Sequence, residues 1–237
     1  MIDYENYFVK YAAAYIRGVA SKSENTSLRE GLEMMDLLDR LIEELEEDEF
    51  QYIMDLGKNA GIKLYPFKNT HEDLPRVRRV IGFLKSVDFQ SLLDVGSGRG
   101  VFLLPFMEEF PWVDVTSMDL LEKRVTFLET IRDGGIEKLQ VMQADMCQQP
   151  MPDKSFDVVT LLEVLEHIPE VEKAVASAVR IARKHVVVTV PSKPDDNPEH
   201  IHLLTKQKLT AMFGAVGCTR LRFDGVNGHL FMVATIE

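Results

Sequence analysis

Leu92-Leu-Asp94-Val-Gly96-Ser-Gly98-Arg-Gly100 is the stretch that decides the fold of this chain. Ser91 to Val95 is a short apolar run ended by glycines, and Val101 to Glu109 has helical spacing, so the segment reads as strand, loop, helix. Glycines at such a handover let the backbone come close to a ligand, and the helix N-terminus behind them offers free N–H groups. Asp119 closes the next strand-like run, Val113 to Met118. An acid about 20 residues after the loop can accept both hydroxyls of a ribose. Loop and acid together point to a nucleoside ligand.

Spacing narrows the choice of nucleoside. Dinucleotide sites follow G-x-G-x-x-G, whereas Gly96, Gly98 and Gly100 follow G-x-G-x-G with an acid two residues ahead. At close range Asp94 would repel a pyrophosphate and suit a cationic ligand end. S-adenosylmethionine, with an ammonium beside a sulfonium, has such an end.

Outward from the loop the signals alternate. Leu121 to Arg132 reads as a helix stopped by Gly134-Gly135, Leu139 to Gln143 as a third strand and Phe156 to Leu162 as a fourth. A helix is expected over Pro169 to Lys184, a β-branched fifth strand over His185 to Val190 and a helix over Leu204 to Val216. Cys218 to Phe223 and His229 to Ile236 read as two strands joined by Asp224-Gly-Val-Asn-Gly228, which has hairpin chemistry. The βαβ rhythm predicts a mostly parallel sheet ending in an antiparallel pair.

Upstream, the periodicity is helical, which places a boundary near Pro66 to Pro75: a helical extension over 1–70, acting as lid or oligomer contact, and a catalytic-type domain over 71–237. One helix is expected over Tyr4 to Val19. A second is expected from Ser27, capped against Glu30 and carrying Leu28, Leu32, Met35, Leu38, Leu41 and Leu45 on one face. The acidic run Glu43 to Glu49 then reads as its solvated end.

In combination these motifs resemble the class I S-adenosylmethionine-dependent methyltransferases, in particular the ubiquinone/menaquinone-type superfamily, over roughly Val80 to Glu237. The resemblance implies an α/β, Rossmann-like seven-stranded sheet, mostly parallel, with an antiparallel C-terminal hairpin. It implies that Asp94, Gly96, Ser97 and Gly98 hold the methionine end, Asp119 and Leu120 the ribose side, and Ala144, Asp145, Met146 and Leu162 the adenine side and pocket wall. S-adenosylhomocysteine would be the product. The Pro-Gly-Gly turn common before strand five is replaced here by Arg183-Lys184-His185.

After strand four comes Glu163-Val-Leu-Glu166-His167. If that turn is helical, its i, i+3, i+4 spacing sets three polar side chains on one face. Glu163 and His167 are then catalytic candidates, with a carboxylate orienting an imidazole that takes a substrate proton. The run also resembles the metal-binding motif of small-RNA 2'-O-methyltransferases, which implies Glu163, Glu166, His167 and His202, with His200 nearby, as candidate ligands of a divalent metal. A metal site, a metal-free base and a structural role stand side by side at this point.

Composition excludes several classes. With 237 residues, 46% hydrophobic and 27% charged, the chain is globular and not disordered. A net charge of −11 disfavours nucleic acid, for which only Arg76, Arg78 and Arg79 speak. Two cysteines suggest a reducing compartment, and without an apolar run of membrane length or a leader-like N-terminus the cytoplasm is expected. The expected function is methylation of an oxygen or nitrogen nucleophile of a small molecule. The alternatives are an RNA or protein methyltransferase and a non-enzymatic module that binds the cofactor.

Overall fold

The computed structural model describes residues 6–22, 26–71, 73–148, 151–194 and 196–236. Helices α1 (Val9–Lys22), α2 (Thr26–Met34), α3 (Glu47–Asn59) and α4 (Pro75–Leu84) precede the sheet. Then follow β1 (Ser91–Val95), α5 (Leu103–Glu109), β2 (Asp114–Asp119), α6 (Glu122–Asp133) and β3 (Leu139–Gln143). The chain continues through β4 (Phe156–Leu162), α7 (Val171–Ile181), β5 (Ala182–Pro191), α8 (Lys206–Ala215), β6 (Arg220–Val226) and β7 (His229–Thr235).

The seven strands are ordered β3-β2-β1-β4-β5-β7-β6, parallel from β3 to β5 and antiparallel through β7 and β6, as the βαβ rhythm and hairpin signal predict. β1 and β4 are neighbours although β2 and β3 lie between them in the chain. Strand order reverses there, and the loops after β1 and β4 part to leave a crevice at the carboxyl edge. Strands buried on both faces read as continuous apolar runs: Phe156 to Leu161 in β4 and Val186 to Val190 in β5 are buried residue after residue. Among the described residues no helix is long and apolar enough to cross a membrane.

The N-terminal helices belong to the same packed interior as one face of the sheet. Tyr11, Ala12, Ala13, Ala14 and Ile16 of α1 are buried together with Leu128 and Ile131 of α6. Close approach is possible because Gly18 and Gly134 have no side chain: a Cβ on Gly18 would lie 2.0 Å from Thr130 O, and one on Gly134 1.7 Å from Ala14 O.

The second helix corrects the sequence expectation. It stops at Met34, with Asp36 in the left-handed region and Leu37 N–H donating to Leu32 O at 2.9 Å. With Asp36 N–H donating to Glu33 O at 3.1 Å, this is a Schellman closure of the helix. Beyond it Arg17 on α1 holds the chain in its non-helical course, its guanidinium donating to the carbonyls of Leu38 and Arg40 at 2.8 and 2.6 Å. The acidic run therefore reaches into the start of α3, where Glu47, Asp48 and Glu49 meet the positive end of the helix dipole. Glu49 accepts from Glu46 N–H and from Arg40.

Two smaller corrections follow from strand pairing. α7 ends at Ile181, not Lys184, because Ala182 is already extended and pairs with Phe156. The hairpin turn is tighter than expected, with only Asn227 and Gly228 between β6 and β7, at φ 36° and 86°. Both signs are those that a two-residue turn matching the twist of its strands requires.

Gly18→Ala is expected to cost about 1–3 kcal/mol by overpacking α1 on α6. Gly82→Ala, in an exposed turn of α4 where a Cβ meets nothing within 4 Å, is expected to add about 0.5–1 kcal/mol through helix propensity. Urea denaturation midpoints of the two variants shifting in the same direction would contradict this packing.

Candidate functional site

Asp94, the fourth residue of β1, is buried between β2 and β4. Thr160 of β4 donates to its Oδ1 at 2.6 Å, while Ser97 Oγ donates to its main-chain oxygen and Ser117 Oγ to Ser97 Oγ at 2.8 Å. Burial pushes the carboxyl up to about 6, against hydrogen bonds from Thr160 and Ser97 that pull it down, with nearby Asp119 adding to the rise. A dry carboxylate with few donors is a receptor for a cation.

The loop beyond it turns on glycines in the left-handed region. At Gly96 a Cβ would strike Val164 Cγ2 at 2.5 Å, so the loop is pressed against the segment after β4. At Gly98, φ 59°, a Cβ would face open space, with only Gly96 O at 3.9 Å. The backbone there borders a cavity, as close approach to a ligand demands. Asp119 secures this arrangement: its Oδ2 accepts from Gly98 N–H at 3.1 Å and its Oδ1 from Leu121 N–H at 2.9 Å. Each oxygen keeps a lone pair for a ribose hydroxyl. Asp145 accepts from Cys147 N–H at 2.8 Å and heads the 3-10 turn Met146–Gln148.

Two cavities open along the crevice. The larger, about 650 Å³, is lined by Asp119, Leu120, Ala144, Asp145, Met146 and His167 among others. The smaller, about 230 Å³, is lined by Asp94, Ser97, Gly98, Leu162, Arg76 and Thr189 among others. Gly96, Arg124 and Glu163 stand in the wall of both. All the residues expected on the cofactor thus line one continuous region. A buried acid for an ammonium, a glycine backbone facing free space and an acid for the ribose together fit S-adenosylmethionine.

The Glu-x-x-Glu-His run does not share one face. Glu163 is in the left-handed region at φ 58°, its N–H donates to Thr189 O at 2.9 Å, and its Oε2 lies 3.0 Å from His229 Nε2. Only Leu165–His167 forms a 3-10 turn, so the helical premise behind the common face fails at Glu163. Glu166 is buried, and its ligand atoms with those of His167 and His200 lie within 4.8 Å of one another. His167 Nδ1 is 2.9 Å from Glu199 O, which leaves Nε2 as the free ligand atom. His202, expected in the set, is turned away with Nε2 at 3.0 Å from Ile168 O. The cation-competent cluster is therefore Glu166, His167 and His200, without Glu163 and His202.

The three arginines of α4 part company as well. Arg76 lines the smaller cavity, Arg79 pairs with Asp224 at 3.0 Å and lies over the Phe231 ring, and Arg78 reaches only Asp73. Sequence reasoning missed Arg76, Arg124, Thr189 and His229 as wall or partner residues. Helical and strand periodicity marks which face is buried but not which cavity a polar residue borders.

Asp94 carries a pH signature. Its folded value lies above the ordinary 3.8, so its contribution to stability is fully present below about pH 4 and is lost as pH rises through about 6. Asp94→Asn is expected to stabilise the ligand-free protein at pH 8 by on the order of 1–3 kcal/mol and to change little at pH 4. Denaturation curves that shift equally at both pH values would refute the buried-charge account.

A family model described as a methyltransferase domain matches residues 93–190. No curated protein matches the chain in sequence. Among solved structures, a SAM-dependent methyltransferase from Aquifex aeolicus is 21% identical with a TM-score of 0.57, over 70% of this chain and 92% of that one. Magnesium protoporphyrin IX methyltransferase (ChlM) from Synechocystis PCC 6803, with bound SAM, is 17% identical with a TM-score of 0.55, over 70% and 80%. The [4+2]-cyclase SpnF is 15% identical with a TM-score of 0.58, over 68% and 80%. At these identities the structural likeness is one of fold. The chain carries, over residues 93–190, a match to the methyltransferase-domain family, on a fold similar to that of solved S-adenosylmethionine-dependent methyltransferases.

Proposed function

We propose that the chain transfers a methyl group from S-adenosylmethionine to an oxygen or nitrogen nucleophile of a small molecule. The observation that carries this reading is the meeting of the two cavities at Gly96, Arg124 and Glu163. A nucleoside fits the larger, the methionine end fits the smaller beside Asp94 and Arg76, and the acceptor meets the methyl group where the two join. S-adenosylmethionine supplies an electrophilic methyl on a sulfonium; the chain's own residues have to bind, align and keep water out.

Asp119 accepts the ribose hydroxyls, with Asp145, Met146 and Leu120 around the adenine. Asp94 faces the ammonium, and the guanidinium groups of Arg76 and Arg124 are the cations available for the carboxylate of the methionine end. Glu163, in the common wall, is the base for the acceptor's proton. The 3-10 turn Tyr65–Phe67 ahead of α4 supports a wall role for the helical extension: Arg99 of the glycine loop donates to Tyr65 OH and lies 5.1 Å from the centre of its ring. Because Arg76, Arg78 and Arg79 diverge, a nucleic-acid acceptor gains no support from them.

A second reading, favoured by the grouping of Glu166 and His200 with His167, which lines the larger cavity, adds a divalent cation. These residues would hold it, and it would supply polarisation of an acceptor oxygen. Calorimetric titration with Mn²⁺ of the protein and of its His200→Ala variant separates this from a structural cluster, which gives no saturable heat in either.

Calorimetry with S-adenosylmethionine and S-adenosylhomocysteine, with NAD as control, is expected to show binding of the first two alone. Incubation with catechol, an aliphatic alcohol and benzylamine, read as S-adenosylhomocysteine formed, tests transfer; binding without turnover would favour a binding-only protein. Asp119→Ala is expected to weaken S-adenosylmethionine by about 10- to 100-fold through loss of charge-assisted hydrogen bonds. Unchanged affinity in the folded variant would remove Asp119 from the ribose.

A further inference from the structure

We propose that His229, carried on the β6–β7 hairpin, is the positioning residue for Glu163, and that the two form a carboxylate–imidazole dyad serving proton removal from the acceptor. This rests on the methyl-transfer reading above. Glu163 stands in the wall common to both cavities, and its left-handed backbone is a conformation that a glutamate keeps only when its surroundings hold it. One carboxylate oxygen meets His229 Nε2 at 3.0 Å. The other, Oε1, is buried and has no hydrogen-bond partner among the described residues.

The hairpin is built to deliver this imidazole. Asn227 and Gly228 make the tight turn, and Ser192 binds Gly228 O twice, through its N–H and its hydroxyl, each at 2.8 Å. His229 is held opposite Pro191 at the end of β5, two strands away from Glu163 at the end of β4. The turn is thus tied to the carboxyl edge of the sheet, where the crevice opens.

Counting donors shows what the pair holds. His229 Nδ1 lies 3.1 Å from Asn227 O, which can only accept, so Nδ1 bears a proton. Nε2 then faces a carboxylate oxygen at hydrogen-bond distance, and that contact requires a proton between the two atoms. In the transfer step the acceptor's X–H bond breaks and its proton goes to the Glu163 carboxylate. The X–CH3 bond forms as the CH3–S bond breaks, leaving its electron pair on sulfur, and the proton passes to solvent when product leaves. His167 is not needed for this step, being engaged with Glu199 O beside Glu166 and His200.

The test compares wild type, His229→Ala, His229→Gln and Glu163→Gln. S-adenosylmethionine affinity is measured by calorimetry, and kcat and KM with whichever nucleophile of the panel above is turned over fastest. His229→Ala is expected to lower kcat at least 10-fold, with cofactor affinity and KM within about 2-fold. His229→Gln, whose amide N–H can still reach Oε2, recovers most of that loss. In ¹⁵N-histidine-labelled protein the Nε2 proton of His229 is expected to be visible and hydrogen-bonded, and to be lost in Glu163→Gln. Unchanged kcat in His229→Ala, or equal loss in the Ala and Gln variants, overturns the dyad. Wild type that fails to bind S-adenosylmethionine, or binds it without turning over any nucleophile, overturns the methyl-transfer reading instead.

Discussion

Asp94 is dry, and the rest of the site depends on how that carboxylate is kept. It lies where β1 runs between β2 and β4, at the reversal of strand order where two loops separate. Thr160 from β4 and the Ser97 to Ser117 chain from the loop and β2 fix its surroundings, so three strands must be in register before the acid has partners. Burial holds its proton affinity high and disfavours the ionised acid. A cationic ligand relieves that strain, so the same burial that costs stability favours binding.

Electrostatics elsewhere follow the same local logic. The chain is acidic overall, yet Arg76 and Arg124 reach the cavities while Asp94, Asp119 and Glu163 occupy the same walls. Opposite charges at short range inside a crevice suit a zwitterionic ligand end. The net charge, spread over the surface, says little about the pocket.

The helical extension is held by chemistry that runs in both directions. Its Arg17 guanidinium holds the segment after α2 by binding two carbonyls, and its Gly18 lets α1 lie against α6, whose first turn carries Arg124. The extension and one face of the sheet therefore share one interior.

Local chemistry was enough to read the strands, the glycine loop and many of the residues that line the two cavities. The Asp94 to Gly100 loop and Asp119 are set by short-range rules: positive φ at glycine, a helix N-terminus, a carboxylate at a strand end. The hairpin was legible for the same reason, since Asn227-Gly228 can hardly do otherwise. The end of α2 was not, because the residue that takes the left-handed conformation and closes it is Asp36 and not a glycine. Nor was the fate of Glu163, Glu166 and His167, where one residue entering the left-handed region rotated the first acid away from the other two. Only the tertiary structure decided that Glu163 meets His229 and that Glu166 and His167 meet His200. Those contacts join strands and loops distant in sequence, and residue spacing specifies neighbours along a helix or strand but not across a fold.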